Sequence, residues 1–250
     1  MKSAIEKVAA EFGVRIELHE QVASTNDTAA EERFCEGDAV IALEQTLGRG
    51  QRGNTWSSEK GKNLTFSMVF EPDFLPAERQ FLISQAVSLA IADSLYRRDV
   101  DALIKWPNDI YSGNRKIAGI LIENTISGSE LQRSVVGIGL NVNQIDFHPS
   151  LPNPTSLALE TGVETDIFEL FGELYRCLLA RYAFLIEHDY ERIEEDYRNG
   201  LYLLDTPHTF EVDGHHIQGT IRGTGEYGQL MVEHPAPEGI RYYQFKEIVF

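Results

Sequence analysis

A formal net charge of −17 over 250 residues argues against a general nucleic-acid binder, whose non-specific affinity comes from neutralising phosphates with Lys and Arg. With 42% hydrophobic and 10% aromatic residues and no long apolar run, the chain reads as a soluble globular protein, neither disordered nor membrane-spanning. Its length allows one large domain or a main domain with a small appendage.

Residues 1–12 place Ile5, Val8, Ala9 and Phe12 at helical spacing, and Gly13 stops the run. Glu6 and Lys7 sit where a signal peptide needs apolar residues, so the expected location is cytoplasmic. Val14, Ile16 and Leu18 alternate with Arg15 and Glu17 as a strand. Ser24-Thr25-Asn26-Asp27 then leads into a helical stretch through Ala29, Ala30 and Phe34, with Thr28 and Glu31 spaced as a capping box. Ala39 to Leu43 forms a short strand that delivers Gln45 and a glycine-rich loop. Cys35 and Cys177 match no metal or redox spacing and read as thiols of a reducing compartment.

The loop, Gln45 to Leu64, carries Arg49, Arg52, Lys60 and Lys62 against the single acid Glu59, among Gly48, Gly50, Gly53 and Gly61. Glycines let a ligand approach the backbone, successive N–H groups form anion-binding concavities, and arginine grips phosphate or carboxylate with two donors. Gly48-x-Gly50-x-x-Gly53 spells the dinucleotide fingerprint, and Glu71 lies near the distance of a ribose-binding acid. That fold needs a helix to start at the loop, and Asn54 to Asn63 is too short and polar for one. Gly61-Lys62 lacks the upstream glycine and the Ser or Thr of a P-loop.

Leu64 to Phe70 reads as a strand, Pro72 and Pro76 break the chain, and a helix from about Ala77 to Arg98 covers one face of a sheet. Ala102 to Trp106, Ile117 to Asn124 and Ser134 to Val142 follow as strands, joined as antiparallel hairpins through turns at 107–114 and 127–129. Lys105-Trp106-Pro107-Asn108-Asp109 sets a cation, an amide and a carboxylate at a strand end, and Arg115-Lys116 opens the next strand with two cations. Each alone also fits a solvated polar hairpin. Gly137-Ile138-Gly139-Leu140-Asn141 is a strand whose glycines permit close approach. After a loop at Pro149 to Pro154, Ile167 to about Arg198 is one long or broken helical region ended by Asn199-Gly200, its acids forming a solvated face. From about Asp205 the chain turns to short strands at Thr209–Val212, Ile217–Ile221, Leu230–Glu233 and Tyr242–Val249, a barrel of SH3-like size. The expected class is α+β: a mixed, largely antiparallel sheet packed with helices over 1–204, plus a C-terminal SH3-like barrel over 205–250.

The set Ser24-Thr25-Asn26, Gln45 with Gly48-Arg49-Gly50-x-x-Gly53 and Trp56, Lys105-Trp106-Pro107-Asn108-Asp109, Arg115-Lys116-x-x-Gly119, and Gly137-x-Gly139-x-Asn141 resembles the biotin protein ligases in order and spacing. The resemblance covers roughly residues 14 to 160 in detail. It implies a class II synthetase-like catalytic domain that joins biotin to ATP and passes biotin from the adenylate to a lysine of a biotin carboxyl carrier protein. Ser24, Thr25, Asn26, Gln45, Gly48, Arg49, Gly50, Gln51, Lys116, Gly119 and Gly137 would form the biotin site. Arg49, Arg52, Lys105, Asn108, Asp109, Lys116 and Asn141 would face ATP, with Gly119, Gly137 and Gly139 leaving room for the ligands. Lys116, Arg49, Lys105 and Asp109 would carry the catalysis, and Asp109 could also deprotonate the carrier lysine. Mg²⁺ would enter mainly on the ATP phosphates, with Asp109 the one protein carboxylate for it. Many members of the family carry Arg where this chain has Gln51, which puts retention of the adenylate in question. The resemblance also implies no DNA-binding segment ahead of Val14, and an exposed sheet edge would allow a homodimer as readily as a monomer. Rival readings are a lipoate or octanoate ligase or transferase of related fold, and a non-catalytic biotin or nucleotide sensor.

Overall fold

The computed structural model describes residues 2–250, with the side chains of Lys2, Ser3 and Arg52 outside the description. Seven strands form the main sheet in the order β1-β2-β3-β7-β6-β5-β4. They are β1 (Ile16–His19), β2 (Ala39–Ala42), β3 (Leu64–Phe70), β4 (Ala102–Lys105), β5 (Asp109–Ser112), β6 (Arg115–Ser127) and β7 (Glu130–Leu140). Only β1 and β2 run parallel; every other neighbouring pair is antiparallel. A second sheet, β11-β10-β9-β8, follows. It is built from β8 (Pro207–Val212), β9 (His215–Thr224), β10 (Leu230–His234) and β11 (Gly239–Tyr243), all antiparallel.

Strand side chains alternate between faces, so register decides what each face of the main sheet holds. Leu64, Phe66 and Met68 of β3 stand beside Leu140, Ile138 and Val136 of β7, and all six are buried. Helices α3 (Phe81–Tyr96) and α5 (Ile167–Ile186) cover this face, with Phe66 meeting Phe171 edge-on at 5.2 Å between ring centroids and Phe70 lying 4.2 Å from Tyr182. Helix α1 (Lys2–Phe12) rests on α5 through Phe12 and Tyr175, and α6 (Tyr190–Asn199) is tied in by Arg181, which bonds Asp93 of α3 and Asp196 of α6. The second sheet adds Phe210, Ile221, Leu230 and Val232 to the same continuous core.

The opposite face is different. Residues 65 and 67 of β3 pair with Gly139 and Gly137 of β7, which pair in turn with Gly119 and Leu121 of β6, and Gly119 pairs with Asp109 of β5. Three glycines and three polar residues therefore share a stripe across four strands. Only its far flank is greasy, where Val40, Val69 and Val135 pack with Ala29 and Phe34 beneath α2 (Thr25–Ala29).

Several local expectations are corrected. The segment 109–112, expected as part of a turn, is strand β5, because Ile110 and Tyr111 are buried by pairing on both sides; four residues are too few to show a period in sequence. The Thr28–Glu31 capping box does not form: α2 ends at Ala29, and the Thr28 hydroxyl donates back to the Ser24 carbonyl. The unassigned stretch after Pro154 contains α4 (Leu157–Thr161), capped by the Ser156 hydroxyl and closed by Gly162 in the left-handed region. The long helical region breaks at 187–189, with His188 at φ 57°. Strand β11 stops at Tyr243; beyond it the chain turns at Lys246, φ 75°, and Val249 exchanges backbone hydrogen bonds with Glu211.

Phe171→Ala, which empties a fully buried aromatic site between α5 and β3, is expected to lower stability by about 3–5 kcal/mol, read as a lower midpoint at unchanged slope in urea unfolding.

Candidate active site

The glycine stripe floors a cavity of about 300 Å³. Ser24, Thr25, Asn26, Gln45, Arg49, Gly50, Gln51, Lys105, Asn108, Asp109, Lys116, Gly119, Gly137 and Gly139 all line it. Sequence positions more than a hundred apart thus converge. Strands β3 and β5, three strand spacings or about 14 Å apart, set the width of the floor.

At the β3 side the groups are neutral. Ser24, Thr25 and Asn26 start α2 and are buried, each 3% exposed. The Thr25 backbone N–H donates to Gln45 Oε1 at 2.7 Å, and the Thr25 hydroxyl lies 3.1 Å from the same oxygen. That fixes the Gln45 amide with its nitrogen as the free end. Asn26 donates to Glu123 Oε2 at 2.7 Å and to the Leu121 carbonyl. Beneath them lies Ser67, fully buried, its hydroxyl 2.7 Å from Thr25 Oγ1 and 2.6 Å from Asn26 Oδ1. Thr65 lines the cavity beside it.

At the β5 side the groups are charged. Lys116 Nζ and Asp109 Oδ1 stand 2.6 Å apart. Lys105 lies 5.0 Å from the ring centres of both Tyr111 and Phe250, and its ammonium donates to the Tyr111 hydroxyl at 3.3 Å. Burial pushes the Lys105 ammonium below the usual lysine range and Lys116 adds to the shift, while Asp109 opposes it. Burial pushes the Tyr111 phenol up to about 12, so it stays protonated at neutral pH. Asn108 is held by donating to the Ile120 carbonyl.

The glycine-rich loop folds back on itself: Gly50 N–H donates to the Asn54 carbonyl and Trp56 N–H to Gly48, with Gly53 at φ 87° supplying the left-handed turn. One 3-10 turn, Gln51–Gly53, is its only helix, so the dinucleotide spelling has no crossover helix behind it. Arg49 donates to Asp27 at 2.6 Å and to Glu123 at 2.9 Å. The latter carboxylate also accepts from Asn26, so the loop and the neutral subsite share one anchor.

Several site residues sit differently from the simplest expectation. Gly137 and Gly139 line the cavity, but the space directly above each is shared with the protein: a Cβ at Gly137 would stand 2.2 Å from Asn26 Oδ1, and one at Gly139 2.2 Å from Trp56 Cε2. Gly48 is outside the cavity lining and serves the loop, since a Cβ there would lie 2.3 Å from the Trp56 carbonyl. Asn141, expected to face ATP, is also outside the lining; its amide donates to the Thr155 carbonyl, joining the end of β7 to the approach to α4. Arg49 lines the cavity while its guanidinium is engaged with Asp27 and Glu123. The Arg52 side chain lies outside the described residues. Sequence reading did not single out Thr65, Ser67, Glu123, Asp27 or the tail from Phe245 to Phe250, which closes one wall. A signal existed for the first two: polar residues alternating with Leu64, Phe66 and Met68.

Residues 18–141 match the model of the biotin/lipoate A/B protein ligase family. The biotin--[acetyl-CoA-carboxylase] ligase of Paracoccus denitrificans is 30% identical over 206 residues, covering 79% of this chain and 84% of that protein. The chain belongs to the biotin/lipoate protein ligase family. Another member, the bifunctional ligase/repressor BirA of Bacillus subtilis, is 30% identical over 207 residues, which cover 76% of this chain and 63% of that protein. The chain thus matches less than two thirds of that relative's length. Among solved structures, the family's biotin protein ligase from Aquifex aeolicus in complex with biotin and ATP superposes with a TM-score of 0.79 at 25% identity, covering 94% of this chain and 97% of that one.

Gly139→Ala is expected to displace the Trp56 ring without unfolding the sheet, because the clash is confined to one side chain. Tryptophan emission should shift to the red, with buried Trp106 as the constant contribution; an unchanged spectrum in a folded variant would contradict the packing described.

Proposed function

We propose that this ligase-family chain activates biotin with ATP, giving biotinyl-5′-adenylate and pyrophosphate, and transfers biotin to a lysine of a biotin carboxyl carrier protein in the cytoplasm. One observation carries the reading: a single cavity joins a neutral donor and acceptor subsite to a cationic one. Biotin's ureido ring offers a carbonyl acceptor flanked by N–H donors. Gln45 nitrogen and the Ser24 hydroxyl can serve the carbonyl, and Thr25 can accept from an N–H. A dithiolane or alkyl head offers no such groups and would leave these buried polar atoms unpaired, at about 1–3 kcal/mol each. This favours biotin over lipoate or octanoate.

Activation brings a carboxylate up to a triphosphate, and the site must offset two anions. The carboxylate oxygen attacks the α-phosphorus and pyrophosphate leaves. Lys116, set by its contact with Asp109, stabilises the charge on the α-phosphate and the carboxyl end, and Lys105 and Asn108 face the phosphates. Arg49 and Gln51, with Gly50 between them, cover the intermediate from the loop. Transfer follows when the carrier lysine's amine attacks the acyl carbon, its proton leaves and AMP departs; Asp109 is the carboxylate available for that proton. Mg²⁺ carried on the nucleotide would screen the phosphates, with Asp109 the protein carboxylate beside it.

The direct test is ATP–pyrophosphate exchange with biotin, lipoate or octanoate as the acid. We expect exchange with biotin alone and a loss of about 10²-fold or more in Lys116→Ala. Binding of biotin without exchange would make the chain a sensor, and exchange with lipoate would reverse the assignment.

Lys105 gives a pH signature. Its lowered pKa means that charge is lost as pH rises, at a pH below the free-lysine value of about 10.4. The KM for ATP should therefore rise on the alkaline side in the native protein. Lys105→Arg, which keeps its charge, should flatten that rise.

A further inference from the structure

Ser67 is the one hydroxyl on β3 that is completely buried, lies beneath the cavity rather than in its wall, and touches two residues that do line it. We infer that Ser67 is a positioning residue for head-group recognition: it fixes which atoms of the neutral subsite face the ligand as donors and which as acceptors.

Counting protons gives the direction. The Asn26 nitrogen is committed to two acceptors, the Glu123 carboxylate and the Leu121 carbonyl, so the atom 2.6 Å from Ser67 is the amide oxygen. Ser67 must donate to it, and a hydroxyl has one proton. Ser67 Oγ is then left as an acceptor at its 2.7 Å contact with Thr25 Oγ1. The single Thr25 proton is claimed from within the protein by Ser67 Oγ or by Gln45 Oε1. Whichever takes it, Thr25 shows the cavity only a lone pair. Gln45 Oε1 is held in addition by the Thr25 backbone N–H, so Gln45 shows only its donor nitrogen. Ser67 and Gly137 are register partners, and the missing Cβ at Gly137 is what lets Asn26 reach down to Ser67. The same network continues through Glu123 to Arg49, so the proton order beneath the head group also anchors the loop above it.

A purely structural role predicts something else. A buried serine that merely satisfies its neighbours would cost stability when removed and leave ligand preference alone. A positioning role predicts that removing it takes away the acceptor 2.7 Å from Thr25, leaves only the longer 3.1 Å contact with Gln45 Oε1 to hold the Thr25 proton inward against a ligand N–H, and releases Asn26 to shift.

This inference rests on the biotin reading proposed above, and the experiment separates the two. In biotin-dependent ATP–pyrophosphate exchange, Ser67→Ala should raise the KM for biotin about 10-fold, leave kcat and the KM for ATP within about twofold, and show the same rise with desthiobiotin, which keeps the ureido group. Ser67→Cys, of similar size and with a weak donor, should fall between wild type and Ser67→Ala, and serves as the test if Ser67→Ala does not fold. An unchanged biotin KM in a folded variant, or an equal rise in the KM for ATP, overturns the positioning role while leaving biotin activation intact. Absence of biotin-dependent exchange in the wild type overturns both.

Discussion

The site depends on the absence of side chains on one face of the sheet. Gly119, Gly137 and Gly139 are brought side by side by the pairing of β6 with β7, and the strip of bare backbone is deep enough for Asn26 and Trp56 to lie against it. Shift the register by one residue and Ile120, Ile138 and Leu140 would occupy the strip, leaving no cavity. The buried opposite face prevents that slip, because those same residues are held in the core beneath α3 and α5. Core packing on one side thus maintains an open floor on the other.

Charge is distributed over this floor with little free cation. In a chain of net charge −17, the cationic loop residue Arg49 is met by Asp27 and Glu123, and Lys116 by Asp109. Arg49 and both of its acids are about half exposed, so those pairs contribute at most about 1 kcal/mol in water. Such contacts can exchange for a phosphate or carboxylate at modest cost. Lys105 is the contrasting case, placed between two rings with Asp109 as a neighbouring charge. Gln51, like Arg49, lines the cavity from this loop, but as a neutral amide.

How much was legible in sequence follows from where the chemistry lies. Lys105 to Asp109, Arg115-Lys116 and the glycine loop carry unusual residue types at short spacing; Lys105 to Asp109, Lys116 and the loop's Arg49 and Gly50 converge in one cavity, whereas Arg115 turns to Glu160. The long strands and helices carried clear periodicity. Strand β5 did not, because two buried apolar residues, Ile110 and Tyr111, between a tight turn and Gly113 are indistinguishable from turn sequence. Ser67 and Glu123 were invisible for another reason: each is an unremarkable residue in its strand and acquires a role only through a register partner or a contact from α2. The glycines were read as vacancies for ligand; they do line the cavity, but Asn26 and Trp56 also take up part of the space they leave, which sequence could not show. Asn141 was expected at the site from the family resemblance; its amide nitrogen donates to the Thr155 carbonyl.

The central claim is that the neutral end of the cavity reads a ureido group through Thr25 and Gln45. A crystal structure of the protein with biotin tests it most directly. The account predicts the ureido carbonyl within hydrogen-bond distance of Gln45 nitrogen and a ureido N–H on Thr25 Oγ1, above the Ser67–Gly137 pair, with the carboxylate toward Lys116. A head group bound at the Lys105 side, or one that leaves Thr25 and Gln45 without contact, would contradict it.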